Sequence, residues 1–249
     1  MLDFLNGPVR SAMDNHATCG VGVPSNGIFG GDDGQSLLLF LLAIATLLAL
    51  SIHEFGHAWM ADKLGDPGPR KAGRVTLAPW AHLDPLGTLL IVATTLIGFP
   101  IGWGKPVKTD PETYKVDRKL GVALVALAGP VMNLFAAFVL AVPGRFLLGV
   151  LQGDAYPPSW EFALAITFLI NIMVMVVSLS LFVFNLLPIY PLDGSHVLAN
   201  LLPNDIAVVY VRIMKRYGIY LFLGLLMSGV LNDIVGPVVI GLFRFLLGV

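Results

Sequence analysis

His53-Glu54-Phe55-Gly56-His57 sets two imidazoles and a carboxylate within five residues, directly after a run from Ser36 to Ile52 that holds no charged side chain. On a helix, positions i and i+4 project from one face. His53 and His57 can therefore offer two ring nitrogens to a single zinc ion. Glu54 sits about 100° further round such a helix, where a carboxylate can take a proton from an attacking water. An ionisable group at membrane depth costs about 2.5–3.5 kcal/mol, so a cluster of three in this position points to function.

A second stretch offers the third ligand. Asn185-Leu186-Leu187-Pro188-Ile189-Tyr190-Pro191-Leu192-Asp193-Gly194 closes a later apolar run. Two prolines three apart cannot continue an α-helix, so the chain unwinds. Unwound backbone at membrane depth has to be buried in protein or reached by water. Asp193 follows, and Gly194 permits a tight turn. Two His and one carboxylate leave the fourth position of a tetrahedral zinc site open, as catalytic rather than structural sites do. Asn185 has two readings: it donates to the substrate backbone or to an oxyanion, or it caps a helix C-terminus.

The elements that carry these residues follow from composition. The 249 residues are 56% hydrophobic and 12% charged, against about 25% charged in a soluble domain, which makes this an integral membrane protein. A net charge of −1 gives no footprint for nucleic acid. Cys19 is the one cysteine, so no intrachain disulfide forms. Residues 1–36 read as an extramembrane tail and 37–249 as the integral-membrane domain, with a catalytic core at about 37–200. Spans are expected over Leu37–Met60, Leu120–Val142 and Phe162–Leu187. The Leu120–Val142 span should end near Pro143-Gly144-Arg145. Apolar residues return from Tyr217, broken at Asn232-Asp233 and Gly236-Pro237. Leu86–Ile101 is short and punctuated by glycine and proline, which favours a re-entrant segment over a crossing. The alternation Val75-Thr76-Leu77-Ala78 predicts a short strand at the membrane surface. The expected fold is an all-α polytopic membrane protein of four to six transmembrane helices, with a small membrane-associated β element.

Nine of the 15 Lys and Arg lie in 62–119 and three more in 188–217. By the positive-inside rule both connections face the cytoplasm, and the two metal motifs lie on that side.

At this point the chain resembles a known family. HExxH at the end of one span and N-x-x-P-x-x-x-x-D-G at the end of a later one are similar to the site-2 protease family of intramembrane zinc metalloproteases. Gly73-Arg74-Val75-Thr76-Leu77, His82-Leu83-Asp84-Pro85-Leu86-Gly87-Thr88, Gly104-Lys105-Pro106-Val107 and Ala128-Gly129-Pro130-Val131-Met132-Asn133 resemble its compact bacterial branch, without a PDZ domain. The resemblance implies His53, His57 and Asp193 as ligands of one Zn2+ per chain, Glu54 as general base, and Asn185 as a group that helps to hold substrate. It implies a multi-pass protein of a bacterial-type plasma membrane that cuts membrane-anchored proteins, such as an anti-sigma factor or another signalling precursor, with the lipid bilayer as its other partner. Two rivals exist. A transporter would need further ionisable residues along Leu120–Val142 and Phe162–Leu187, which carry none. A catalytically inactive membrane-binding homologue would lack one of the four site residues, and all are present.

Other polar residues have structural readings. His82 and Asp84 read as a turn before Pro85, His196 as solvated, Asn133 as interhelical packing beside Gly129, and Lys105–Lys119 as a headgroup-facing surface.

Overall fold

An apolar run can cross a bilayer only where its backbone bonds to itself, and the long runs of this chain do so as helices. The computed structural model describes residues 32–95, 102–153 and 156–248. Most of the expected tail 1–36 lies outside them. Three helices are long and apolar enough to cross: Ser36–Leu64, Arg118–Gln152 and Pro158–Asn185. The first belongs to α1 (Asp32–Leu64), 33 residues or about 50 Å long at 1.5 Å per residue. After the short α2 (Gly68–Lys71) comes α3 (Pro85–Thr95), whose 11 residues reach about half the thickness of the hydrocarbon layer. The second crossing helix is α4 (Arg118–Gln152) and the third belongs to α5 (Glu161–Asn185). Then follow α6 (Asp193–Leu201), α7 (Asn204–Ser228) and α8 (Val230–Leu247).

α1, α4 and α5 pack on one another, and α8 packs on α5 and α4. Their shared core joins Leu42, Ala45 and Ala49 of α1, Ala137 and Ala141 of α4, Phe168, Ile172 and Met175 of α5, and Phe243 of α8. Small residues let α1 and α4 approach closely. A Cβ on Gly56 would lie 2.5 Å from the Ala128 carbonyl oxygen and 2.9 Å from the Met132 Cβ. α6 packs on α4, and Lys119 Nζ near the start of α4 donates to the Leu202 carbonyl at 3.2 Å.

Three expectations change. No strand forms among the described residues, where a single antiparallel bridge joins Leu83 to Gly104. The alternating segment 75–78 bends at Val75 and Thr76 and pairs with no strand; Thr76 is drawn onto its own loop by the buried His82, whose Nε2–H donates to the Thr76 carbonyl at 2.7 Å. α4 runs through Pro143, ten residues past the expected end at Val142. A proline removes one bond of the ladder, and a helix flanked by neighbours tolerates that loss. The C-terminal apolar region breaks at Gly229 (φ +78°), whereas Asn232-Asp233 and Gly236-Pro237 lie within α8. Glycine alone adopts a positive φ without steric cost. The axis bends by 71° there, so the pair counts as a fourth crossing only if it is one broken span. For the expected re-entrant segment, α3 is described and residues 96–101 lie outside the described residues.

Candidate metal centre

The site is built on one ridge of α4. Val125, Gly129 and Asn133 are spaced by four, so they line up along the face that meets α1. α1 stays helical through His53 and His57, which stack one turn apart with ring centroids 4.7 Å apart and planes at 88°. The His57 Nδ1–H donates to the Val125 carbonyl at 2.8 Å. The His53 Nδ1–H donates to Asn133 Oδ1 at 2.8 Å, and Asn133 Nδ2 donates to the Ala49 carbonyl at 2.9 Å, which fixes the amide's orientation. Between these two anchors lies Gly129. A Cβ there would stand 2.4 Å from His57 Nε2 and 2.9 Å from His53 Cε1, so only glycine lets both rings rest on the α4 backbone.

Asp193 arrives from the other side. α5 ends at Asn185, the chain turns through 186–192 with a cis peptide at Tyr190–Pro191, and α6 begins at Asp193. Gly194 is pressed onto the end of α5: a Cβ there would lie 2.4 Å from the Leu186 carbonyl oxygen. Tyr210 of α7 holds the same turn, its hydroxyl donating to the Pro188 carbonyl at 2.8 Å. Asp193 Oδ2 thereby lies 3.0 Å from His53 Nε2 and 3.4 Å from His57 Nε2, and the two Nε2 atoms are 3.1 Å apart. Sequence positions 136 or more apart meet within the span of one ion.

The hydrogen bonds decide what this meeting can do. With both Nδ1 atoms spent as donors, each neutral ring presents an Nε2 lone pair. Asp193 Oδ2 is buried with no hydrogen-bond donor of its own. Three acceptors therefore face one point, all within 4.8 Å of one another, which is unfavourable unless a positive charge sits among them. A proton can stand in for it. With that proton on a ring Nε2, burial still disfavours the Asp193 charge, yet hydrogen bonds from His53 and His57 and their charge outweigh it and hold the carboxyl below its usual range. A divalent cation answers the same need with three ligands at once. The two-nitrogen, one-oxygen set suits zinc, with a fourth position left over. The carbonyl and amide partners of the two rings are the usual outer supports of metal-binding histidines.

The Glu54 side chain meets the segment before α4. A Cβ on Gly104 would lie 3.1 Å from both Glu54 Cγ and Oε1. Asn185 Nδ2 donates to the Leu181 carbonyl at 3.0 Å, one turn back in its own helix. Asp84 caps α3, its Oδ1 accepting from Leu86 N at 3.1 Å and Gly87 N at 2.9 Å, and His196 is exposed. Asn133 departs from its reading as packing alone, because it joins two helices and also holds a site imidazole. The signal was a lone amide in an apolar span, four residues after Gly129. The Val125 carbonyl left none, since every residue carries one.

No protein-family model matches the chain, and no solved structure matches it. Curated relatives do. The chain is 35% identical over 200 residues to "Putative zinc metalloprotease YwhC" of Bacillus subtilis, covering 80% of this chain and 86% of that one. It is 35% identical over 199 residues to "Putative zinc metalloprotease Rip2" of Mycolicibacterium smegmatis, covering 78% of this chain and 70% of the relative. It is 30% identical over 141 residues to "Regulator of sigma-E protease RseP" of Escherichia coli, covering 51% and 31%.

Proposed function

Because the chain belongs to the site-2 protease family of membrane zinc metalloproteases, we propose that it hydrolyses peptide bonds in or near the transmembrane segments of membrane-anchored proteins. His53, His57 and Asp193 hold one zinc ion, and Glu54 is the general base. The observation that carries this reading is the convergence of three lone pairs, two of them on rings whose other nitrogens are already committed.

When bound, zinc supplies a Lewis acid that polarises the scissile carbonyl and acidifies the attacking water. The chain's own residues do the rest. Glu54 accepts the water's proton and passes it to the leaving amine. Asn185, at the mouth of the 186–192 turn, donates to the substrate backbone or the developing oxyanion with the amide proton that its bond to Leu181 leaves free. A peptide bond inside a helix is shielded by its own turn, so the substrate has to be extended near the site. The stretch 73–78 offers it an edge once substrate is bound, in the manner of β-strand addition. Both basic connections then lie on the cytoplasmic side of a bacterial-type plasma membrane. The site then opens towards the cytoplasm. Single-span proteins, such as an anti-sigma factor or another signalling precursor, are the substrate class. The relative named as a regulator of sigma-E protease supports that class.

Glu54→Gln tests the assignment. The variant is expected to retain one zinc per chain and lose cleavage of a single-span substrate by at least about 100-fold. Turnover at the wild-type rate would refute Glu54 as the base.

A further inference from the structure

Arg74 is a cation buried to 6% exposure, with no carboxylate at ion-pair distance among the described residues. Its two amino groups donate to backbone carbonyls on separate segments: Nη1 to Ala81 and Nη2 to Lys105. Its Nε is buried without a hydrogen-bond partner. Burying a guanidinium on such terms is expensive, and an aliphatic side chain would fill the space at lower cost.

What the charge holds together explains its presence. Residues 81–83 and 104–105 are joined by the Leu83–Gly104 bridge and by Lys105 N donating to the His82 carbonyl at 2.7 Å. Arg74 staples the same two segments from the side. The far face of that clasp is Gly104, whose missing side chain is occupied by Glu54: the virtual Cβ lies 3.1 Å from Cγ and Oε1 and 3.3 Å from Cδ. No hydrogen bond to Glu54 is present among the described residues, and the Gly104 backbone stands directly against its side chain. Burial pushes the Arg74 guanidinium down, and the Glu54 charge pushes it back up, which places the two within electrostatic reach.

We infer that Arg74 is the positioning residue for Glu54: it fixes the Gly104 backbone as a wall that keeps the carboxylate turned towards the metal. Arginine is required because one planar fork must serve two carbonyls at once, which a lysine ammonium does poorly. The inference rests on the protease reading.

The test uses the full chain in detergent micelles, with a labelled single-span peptide chosen because the wild type cuts it. Arg74→Met should hold one zinc per chain and keep KM within about threefold, while kcat falls about 10- to 100-fold, a part of what a general base contributes. Arg74→Lys should recover part of kcat. Gly104→Ala, which leaves Arg74 intact and pushes on Glu54 directly, should reproduce the kcat loss. In substrate-free protein carrying Glu54→Gln, amide hydrogen exchange over 102–108 should quicken at least about tenfold on adding Arg74→Met. A loss carried by KM alone, loss of zinc, an unchanged kcat, or no recovery with Lys alongside a normal Gly104→Ala would overturn the assignment. A wild type that holds zinc and cuts no peptide in the panel would count against the protease reading instead. The exchange measurement would still decide the clasp, and unchanged exchange would overturn it.

Discussion

Gly129→Ala is a one-carbon change with a consequence fixed by distance. The added Cβ would stand 2.4 Å from His57 Nε2, 2.5 Å from His57 Cε1 and 2.9 Å from His53 Cε1. An ordinary contact begins near 3.4 Å, so the His57 ring has to retreat by about 1 Å in a packed interior. It cannot retreat freely, because its Nδ1 is bonded to Val125 on the same helix. A metal site tolerates about 0.2 Å in its ligand distances, five times less than this shift. Overpacking of this size costs about 1–3 kcal/mol in stability, too little to unfold the bundle, whereas zinc affinity should fall by at least about 100-fold. Gly149→Ala serves as the control, because the same helix leaves open space around that position. Competition with a chelator of known affinity gives the two constants, and a melting curve confirms that each variant is folded. Wild-type affinity in Gly129→Ala would refute the claim that both imidazoles lie on the α4 backbone.

Two further outcomes follow from the same contacts. Asn133→Leu keeps the volume but removes the acceptor for His53 Nδ1 and the donor to Ala49; zinc affinity should drop about 10- to 100-fold by chelator competition, and an unchanged constant would separate Asn133 from the site. His82 is buried as the neutral ring: burial lowers its pKa and the nearby Arg74 charge adds to that, outweighing the bond to Thr76. The unfolded state then binds the extra proton first as pH falls, so this contribution to stability is present above about pH 6.5 and declines below it. Melting temperatures measured from pH 7.5 to 5 should fall more steeply in the wild type than in His82→Gln; parallel curves would refute the assignment.

The candidate ligands were legible in the sequence because each sits where its residue type is costly or its neighbours break a helix. His53, Glu54 and His57 end an uncharged span, and Asp193 follows two prolines. Their meeting was expected from the side of the membrane both motifs share, but what holds them together was not legible. It depends on α6 folding back onto α4 and on a ridge of Val125, Gly129 and Asn133, where one partner is a bare carbonyl and another is the absence of a side chain. The strand expected at 75–78 failed for a related reason. Alternation records which face is apolar, but a strand also needs a neighbour to bond to, and here Arg74 and His82 claim the nearby carbonyls. The extra length of α4 beyond Val142 shows that Pro143-Gly144 ends a helix only where no neighbour supports it. Gly144 lies against Asn171 of α5, which leaves no room for a larger residue. The break at Gly229 was hidden among stronger turn signals further on.

The central claim is that residues separated by 136 positions form one metal centre. Zinc per chain, measured on folded, detergent-purified wild type beside His57→Ala and Asp193→Asn, tests it most directly. The account predicts about one zinc in the wild type and a clear loss in both variants. Zinc that survives Asp193→Asn at full stoichiometry and affinity, while His57→Ala loses it, would contradict the three-ligand site and leave the metal on α1 alone.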